Sequence, residues 1–405
     1  MHAQWVPIKI DSLYSQVSCF ASSGNNLFIF TESNWIMSAP QELNGVFRST
    51  NNGTSWTKLD DRLLPRNPVY SFMVSDTNLF IGSDGGVFLS TNNGISWRAV
   101  NNGLPASPGV SPLVAIGTNL FAACGLNGVF LSTNNGANWT AVNNGLSSLH
   151  VNSLVAKGGN LFVSTNNVSL STNNDKNWSA VNNGLPIEAG IQRLAFCGPN
   201  LFAGCYDNGS SGGVFRSTDN GTNWSAVNNG FASNNREEVS SFAVYGTNIF
   251  VGTYYDGIYL STNNGTNWTS VNDGLSSNDF NLFQLFVSGT ILFAANTNNS
   301  IWRHQLSEMI DDKQNNLPTN FFLEQNYPNP FNPTTTINYS VPTASHVTIK
   351  VYDLLGRQVA ILVNDNKPVG NYSIKIDGSK LLSGVYFYRM EAGSFSQTKK
   401  LLLLK

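Results

Sequence analysis

The sequence runs to 405 residues, enough for two or three domains, and only 11% of them are charged, well below the roughly 25% usual in soluble globular proteins. A net charge of −2 excludes the general attraction to nucleic acid that a basic protein has. With 36 glycines, abundant asparagine and 12% aromatics, the composition disfavours helix interiors and suits short strands joined by tight turns, so an all-β chain is expected.

The first element is a lone apolar stretch, Trp5-Val-Pro-Ile8. A phrase Ser-Thr-Asn-Asn-Gly-x-x-Trp then recurs, ending at Trp56, Trp97, Trp139, Trp178, Trp224 and Trp268, with spacings of 39 to 46 residues. Asp175 stands at the glycine position of the fourth copy, and Asp219 at the first asparagine position of the fifth. A second marker, Asn-Leu-Phe or a close variant, starts at Asn26, Asn78, Asn119, Asn160, Asn200, Asn248 and Thr290. The sixth copy shows the unit: strand A over Val239–Val244, strand B over Asn248–Thr253, strand C over Gly257–Thr262 and strand D over Trp268–Val271. Four short strands in about forty residues is the pattern of a propeller blade. The last unit has strand A near Leu282–Val287, B near Ile291–Ala295 and C near Ser300–His304, but no Trp-bearing strand D. Trp5 lies 21 residues before Asn26, as Trp139 lies 21 before Asn160, so Trp5 sits at a strand-D position. Pairing the two chain ends closes a ring of seven blades and removes two sheet edges.

The turn between strands C and D resembles the Asp-box of the BNR repeat family, which includes sialidases, sortilin-like receptors and photosystem-assembly propellers. Asparagine usually replaces the box aspartate here. Its structural residues are Asn51, Gly53 and Trp56 in the first copy, then Trp97, Trp139, Trp178, Asp219, Trp224 and Trp268. A short side-chain acceptor takes turn amides, glycine takes a positive φ, and tryptophan packs between blades. The resemblance implies the fold and no active site in the box.

Residues 305–320 are polar and read as a linker. The charge changes sign nearby: residues 1–317 carry 13 basic against 19 acidic groups, and 318–405 carry 9 against 5. Beyond the linker, alternating apolar positions such as Val347, Ile349 and Val351 mark half-buried strands. Pro328, Pro330 and Pro333 suggest an extended lead-in segment without backbone donors. Six or seven strands in about 85 residues suggest a small immunoglobulin-like β-sandwich. Asn326–Pro333, Tyr352–Gly356, Ser383–Tyr388 and the lysine-bearing end resemble, in order and spacing, the C-terminal sorting domain of type IX secretion. That resemblance covers 321–405. It implies partnership with the type IX machinery and a final place outside a Gram-negative cell or on its outer-membrane surface, after passage through the periplasm. Such cargo needs a leader for the first membrane. Met1-His-Ala-Gln has no apolar leader core, so the true start is expected upstream.

The expected organisation is therefore a propeller over 1–304, a linker over 305–320 and a sorting domain over 321–405. Cys19, Cys124, Cys197 and Cys205 match no zinc or redox spacing and read as core thiols. The four histidines are scattered, and no apolar run is long enough to span a bilayer; neither metal nor cofactor is expected. Antiparallel blades put the uniform C–D turns on one face, so function is expected on the face of the variable B–C and D–A loops. Trp35, Tyr206, Tyr254 and Tyr255 there would stack on a ligand, with Asp84, Asp207 and Asp256 accepting hydrogen bonds. Carboxylates Asp60, Asp61, Glu188 and Asp273 and the bases His150 and Arg236 lie on the same loops, and Arg193 is the arginine placed nearest the axis. Arg48, Arg216 and Arg303 recur at a strand-C position and read as strand-surface residues. Gly209–Gly213 formally matches a nucleophile elbow but lies between strands, where that motif has no meaning. The sequence thus favours a non-catalytic surface protein binding carbohydrate or protein over a glycoside hydrolase of sialidase or xyloglucanase type.

Overall fold

The computed structural model describes residues 4–8, 16–32, 45–59, 64, 68–172, 177–186, 190–206, 212–231, 238–315, 320–367 and 369–404. The chain forms two compact units, Met1–Met309 and Ile310–Lys405.

Among the described residues, the first unit contains seven four-stranded antiparallel sheets. Their first strands are Gln16–Ser23, Val69–Ser75, Val110–Ile116, Ser153–Lys157, Ile191–Cys197, Val239–Tyr245 and Leu282–Ser288. We number the sheets 1 to 7 in that order and letter their strands A to D. Sheet 6 continues with Asn248–Thr253, Ile258–Ser261 and Thr269–Ser270, within a residue or two of the expectation. The A strands of consecutive sheets are neighbours, and the last returns to the first, so the A strands line a common axis. In sheet 7 the fourth strand is Val6–Ile8, paired antiparallel as Val6 with Arg303, Pro7 with Trp302 and Ile8 with Ile301.

Why this sequence folds this way is visible in three recurring contacts. The Phe of each Asn-Leu-Phe marker (Phe28, Phe80, Phe121, Phe162, Phe202, Phe250 and Phe293) is fully buried. Six of them join clusters made by two neighbouring sheets, so the marker supplies the inter-sheet core. The C–D turn is held from within. Ser49 Oγ accepts the Gly53 amide at 2.9 Å and donates to Asn51 Oδ1, which accepts the Ser55 amide at 2.9 Å. Four further copies repeat the set around Ser90, Ser132, Ser217 and Ser261. Gly53 has φ +76°, and a Cβ there would press on the Phe293 ring, so glycine is required twice over.

The third contact comes from a Val-Asn-Asn-Gly phrase whose composition alone suggests only a turn. It occurs at Val100–Gly103, Val142–Gly145, Val181–Gly184 and Val227–Gly230, with Val271-Asn-Asp-Gly274 as a variant. Its first asparagine reaches back within its own sheet, where Oδ1 accepts the amides of Val87, Val129, Val168, Val214 and Ile258 at 2.6–2.7 Å. The rest of the phrase ties to the next sheet. The valine carbonyl accepts the indole N–H of the next tryptophan at 2.6–2.9 Å (Val100 from Trp139, Val142 from Trp178, Val181 from Trp224, Val227 from Trp268). The carbonyl of the second asparagine accepts the amide of the same tryptophan, as Asn102 does from Trp139. Trp5 makes the same pair of bonds, its indole to Val271 O at 2.7 Å and its amide to Asp273 O at 3.1 Å. It is buried and lies edge-on to His304, ring centroids 5.4 Å apart. Arg216 and Arg303 brace neighbouring sheets through Asn264 O at 2.7 Å and Asn52 O at 3.0 Å, consistent with their reading as strand-surface residues.

Segment 305–320, expected to be a linker, contains the ten-residue helix Leu306–Asn315. Leu306, Met309 and Ile310 are buried, and their i, i+3, i+4 spacing supplies the apolar stripe that overrides the polar composition.

The second unit has two sheets among its described residues. One orders Phe322–Leu323, Thr334–Val341 and Gly370–Asp377, the other Gln358–Lys367, Ser345–Tyr352, Gly384–Ala392 and Phe395–Leu403. The expected alternation holds: Val347, Ile349 and Val351 enter one core with Ile337, Tyr339, Tyr388, Met390 and Leu403. The lead-in segment is not extended; it bends, with cis peptide bonds before Pro328, Pro330 and Pro333. Its buried Asn326 donates its amide to Tyr388 Oη at 2.8 Å, and that hydroxyl donates to Glu324 O at 2.6 Å. Phe331 and Asn329 bond the last strand at Leu402. Three sequence motifs spaced along 80 residues thus meet at one place.

Candidate functional site

The same four-residue pattern stands at, or just before, the start of each A strand: an apolar residue, two variable ones, and Leu or Phe. It reads Val69-Tyr-Ser-Phe72, Val110-Ser-Pro-Leu113, Val151-Asn-Ser-Leu154 and Ile191-Gln-Arg-Leu194 in sheets 2 to 5. The first and fourth residues enter the inter-sheet cores. In six of the seven sheets the register against strand B slips within this pattern, a β-bulge that re-aims the side chains between. The third residue bridges onward: Ser71, Ser153 and Ser241 Oγ accept the amides of Leu113, Leu194 and Leu285 in the next sheet at 2.9–3.1 Å. In sheets 2 to 5 the second residue stays out of these cores and reaches the axial mouth.

There Tyr70, Ser111, Asn152 and Gln192, all at that second position, line an open cavity of about 400 Å³. Asp84 and Gly125, from the B–C turns of sheets 2 and 3, and His150 and Arg193 complete it. The cavity opens on the B–C and D–A face. Its polar groups are fixed by the frame. Asn152 Nδ2 donates to Ile191 O at 3.1 Å and Thr165 O at 3.3 Å, leaving Oδ1 as an acceptor. Arg193 takes the bridging position that serine holds in sheets 2, 4 and 6. Its Nε donates to Ser240 O at 2.8 Å and Nη1 to Gln192 O at 2.9 Å, and burial lowers its pKa.

Of the residues expected to bind a ligand, Asp84 lines this cavity. Tyr206, Tyr254, Tyr255 and Asp256 lie on the B–C turns of sheets 5 and 6 and do not. Tyr254 and Tyr255 pack edge-on to each other, centroids 5.0 Å apart, with Tyr255 57% exposed, and Tyr206 is 41% exposed. Burial raises the pKa of Glu238 at the start of sheet 6. Trp35 and Asp207, with Asp60, Asp61, Glu188 and Arg236, lie outside the described residues. Tyr70, Asn152 and Gln192 were missed, although the repeat itself, lined up on its apolar positions, points to them. Among the described residues no group of three His, Cys, Asp or Glu side chains has metal-binding geometry. All four cysteines are buried, and burial pushes the thiols of Cys124 and Cys205 up to about 12.

A family model described as the DUF6242 beta propeller domain matches residues 13–144 and again 120–231, together more than half of the chain. The chain belongs to this propeller family. A second model, the secretion system C-terminal sorting domain, matches residues 325–404. The propeller is therefore that of a protein exported to the cell surface or beyond. No curated protein matches the sequence. Among solved structures, the chain is similar to the extracellular domain of a candidate one-component system from B. thetaiotaomicron, with a TM-score of 0.59 and 14% identity over 85% of this chain and 45% of that one. It is similar to YCF48 bound to D1 peptide, TM-score 0.58 and 12% identity over 75% and 96%. It is also similar to the GH74 xyloglucanase from Xanthomonas campestris, TM-score 0.58 and 14% identity over 91% and 63%. The chain spans less than half the length of the first of these and under two thirds of the last. At such identities the likeness speaks for the propeller fold alone. Among the described residues, no helix is long and apolar enough to cross a membrane.

Proposed function

We propose that the chain is an exported, non-catalytic binding protein that takes a glycan or protein ligand at the mouth of its propeller. In this reading the propeller has seven blades over residues 1–304, closed by the N-terminal strand, and its C–D turns are Asn-variant Asp-boxes. Residues 321–405 form an immunoglobulin-like sandwich that engages the type IX machinery and leaves the propeller on the outer-membrane surface or released. The observation that carries the binding role is the cavity framed by Tyr70, Asp84, Asn152, Gln192 and Arg193, polar groups convergent on a space of small-ligand size. Tyr206, Tyr254, Tyr255 and Asp256 on the same face would extend the contact beyond it.

A hydrolase reading has the xyloglucanase likeness in its favour, but glycoside hydrolysis needs two carboxylates about 5–9.5 Å apart. Among the described residues lining the cavity, Asp84 is the one carboxylate. A panel of glycans and peptides, scored for both binding and product release, tests the proposal. Binding without turnover, lost in Gln192→Ala at an unchanged melting temperature, supports it. Product release, whether or not it survives Asp84→Asn, or an empty panel, refutes it.

A further inference from the structure

We infer that the mouth cavity is built for an acidic sugar, a hexuronate residue of a glycan, with Arg193 holding its carboxylate and Asp84 accepting its hydroxyls. This rests on the binding role proposed above and narrows it to one ligand class.

Arg193 supplies the cation. Its guanidinium is fixed by two neutral carbonyls, Ser240 O on Nε and Gln192 O on Nη1. That leaves one Nη1 hydrogen and both Nη2 hydrogens for something else. No carboxylate among the described residues comes within ion-pair distance of it. A half-buried cation with no counter-ion among the described residues is costly, and a bound carboxylate would remove that cost. The planar fork suits a carboxylate better than any neutral group. Its plane is set by the backbone in advance, so little freedom is lost on binding.

Two further wall residues, Asp84 and Asn152, call for donors from the ligand. Asp84 makes no hydrogen bond or ion pair among the described residues. Asn152 has spent its amino group on two carbonyls and offers only Oδ1. Adjacent hydroxyls on a sugar ring supply several donors at once. A peptide terminus supplies a carboxylate but few donors, and its side chains would need an apolar pocket. The described wall has little apolar surface to offer beyond Val151 and the ring of Tyr70. A second ligand charge near Asp84 would be repelled, which favours one carboxylate per ring. A cavity of about 400 Å³ holds one or two sugar rings.

Calorimetric titration of the whole chain with glucuronate, galacturonate and mannuronate oligomers tests this. Galactose oligomers serve as neutral controls and an acetylated dipeptide with a free carboxylate as the peptide arm. A uronate should bind at least about tenfold tighter than the neutral sugar, as expected of a charge-assisted contact. Arg193→Gln should erase that preference, weakening uronate binding about tenfold to a hundredfold while leaving any neutral binding in place. Asp84→Asn should weaken charged and neutral sugars alike. If Arg193→Gln lowers the melting temperature, Arg193→Lys, which keeps the charge and loses the fork, should give intermediate affinity. Equal binding of galactose and uronate, preference for the dipeptide, or a uronate affinity indifferent to Arg193 overturns the inference and leaves the binding role standing. If no uronate binds but another glycan or peptide does, the ligand class is wrong. If nothing binds in either panel, the binding role falls with it.

Discussion

Replacing Trp5 by alanine tests whether the two ends of the propeller chain depend on each other. Trp5 is 4% exposed and lies 266 residues from Val271, the acceptor of its indole N–H. Truncating a buried tryptophan costs about 3–5 kcal/mol in lost packing and cavity formation. For a unit of this size each kcal/mol moves the melting midpoint by about 2 °C, so Trp5→Ala should melt roughly 6–10 °C lower. The repeat supplies its own controls. Trp139 makes the same bonds inside the ring, to Val100 O and Asn102 O, and Trp139→Ala should cost about as much. Trp56 holds the equivalent place but is only half-buried, and its indole N–H has no partner among the described residues, so Trp56→Ala should cost less. Differential scanning calorimetry of the three variants gives the comparison. A Trp5 variant that melts with the native protein, beside a Trp139 variant that does not, would show that sheet 7 holds without its N-terminal strand and refute the dependence of the ring on that strand.

In the sorting domain, Tyr388→Phe removes the hydroxyl that joins Asn326 to Glu324 and should cost about 1–3 kcal/mol in denaturant titration of that unit, because a buried amide is left unpaired. The Asp219 carboxyl is held below its usual range, first by the Asn223 side chain, then by the Asn223 amide and by Ser217. A depressed carboxylate stabilises the fold above its unfolded pKa, about 3.9, and loses that effect as pH falls through the folded value. Any stability advantage over Asp219→Asn should therefore shrink in melting curves taken below about pH 4; an advantage that grew on acidification would contradict the assignment. Cys124 and Cys205 should resist iodoacetamide at pH 8 in the native state and react fully in guanidinium, which mass spectrometry counts directly. Rapid native labelling of either would mean that its sheet opens readily.

Much of the fold was legible because repetition multiplies a weak signal. One Asn-Leu-Phe says little, but seven at regular spacing fix the B strands, and the burial of all seven phenylalanines follows. The N-terminal strand was legible because Trp5 carries the same spacing as tryptophans inside the ring. The helix Leu306–Asn315 was missed because its composition is polar and only Leu306, Met309 and Ile310 form its stripe. The Val-Asn-Asn-Gly ties were missed because asparagine and glycine in a loop read as turn formers, whereas their main work is between sheets. The candidate site was least legible. Exposed aromatics such as Tyr206 and Tyr255 drew the eye to the rim, while the cavity is lined from strand beginnings, where Asn152 and Gln192 look like ordinary strand polar residues.

The second position of each A strand has a consequence for how such a protein changes over time. Its neighbours on either side are committed, one to the core and the other to the bridge onward. In sheets 2 to 5 the residue between them stays out of the core, and of the four Asn152 makes a bridging bond, to Ile191 O. Tyr70, Ser111, Asn152 and Gln192 already show four chemistries on one scaffold address. Substitutions away from cores and bridging bonds usually shift stability by no more than about 0.5 kcal/mol. Where the second residue makes no bridging bond among the described residues, as at Ser111 and Gln192, new ligands are therefore reachable by single replacements, one blade at a time.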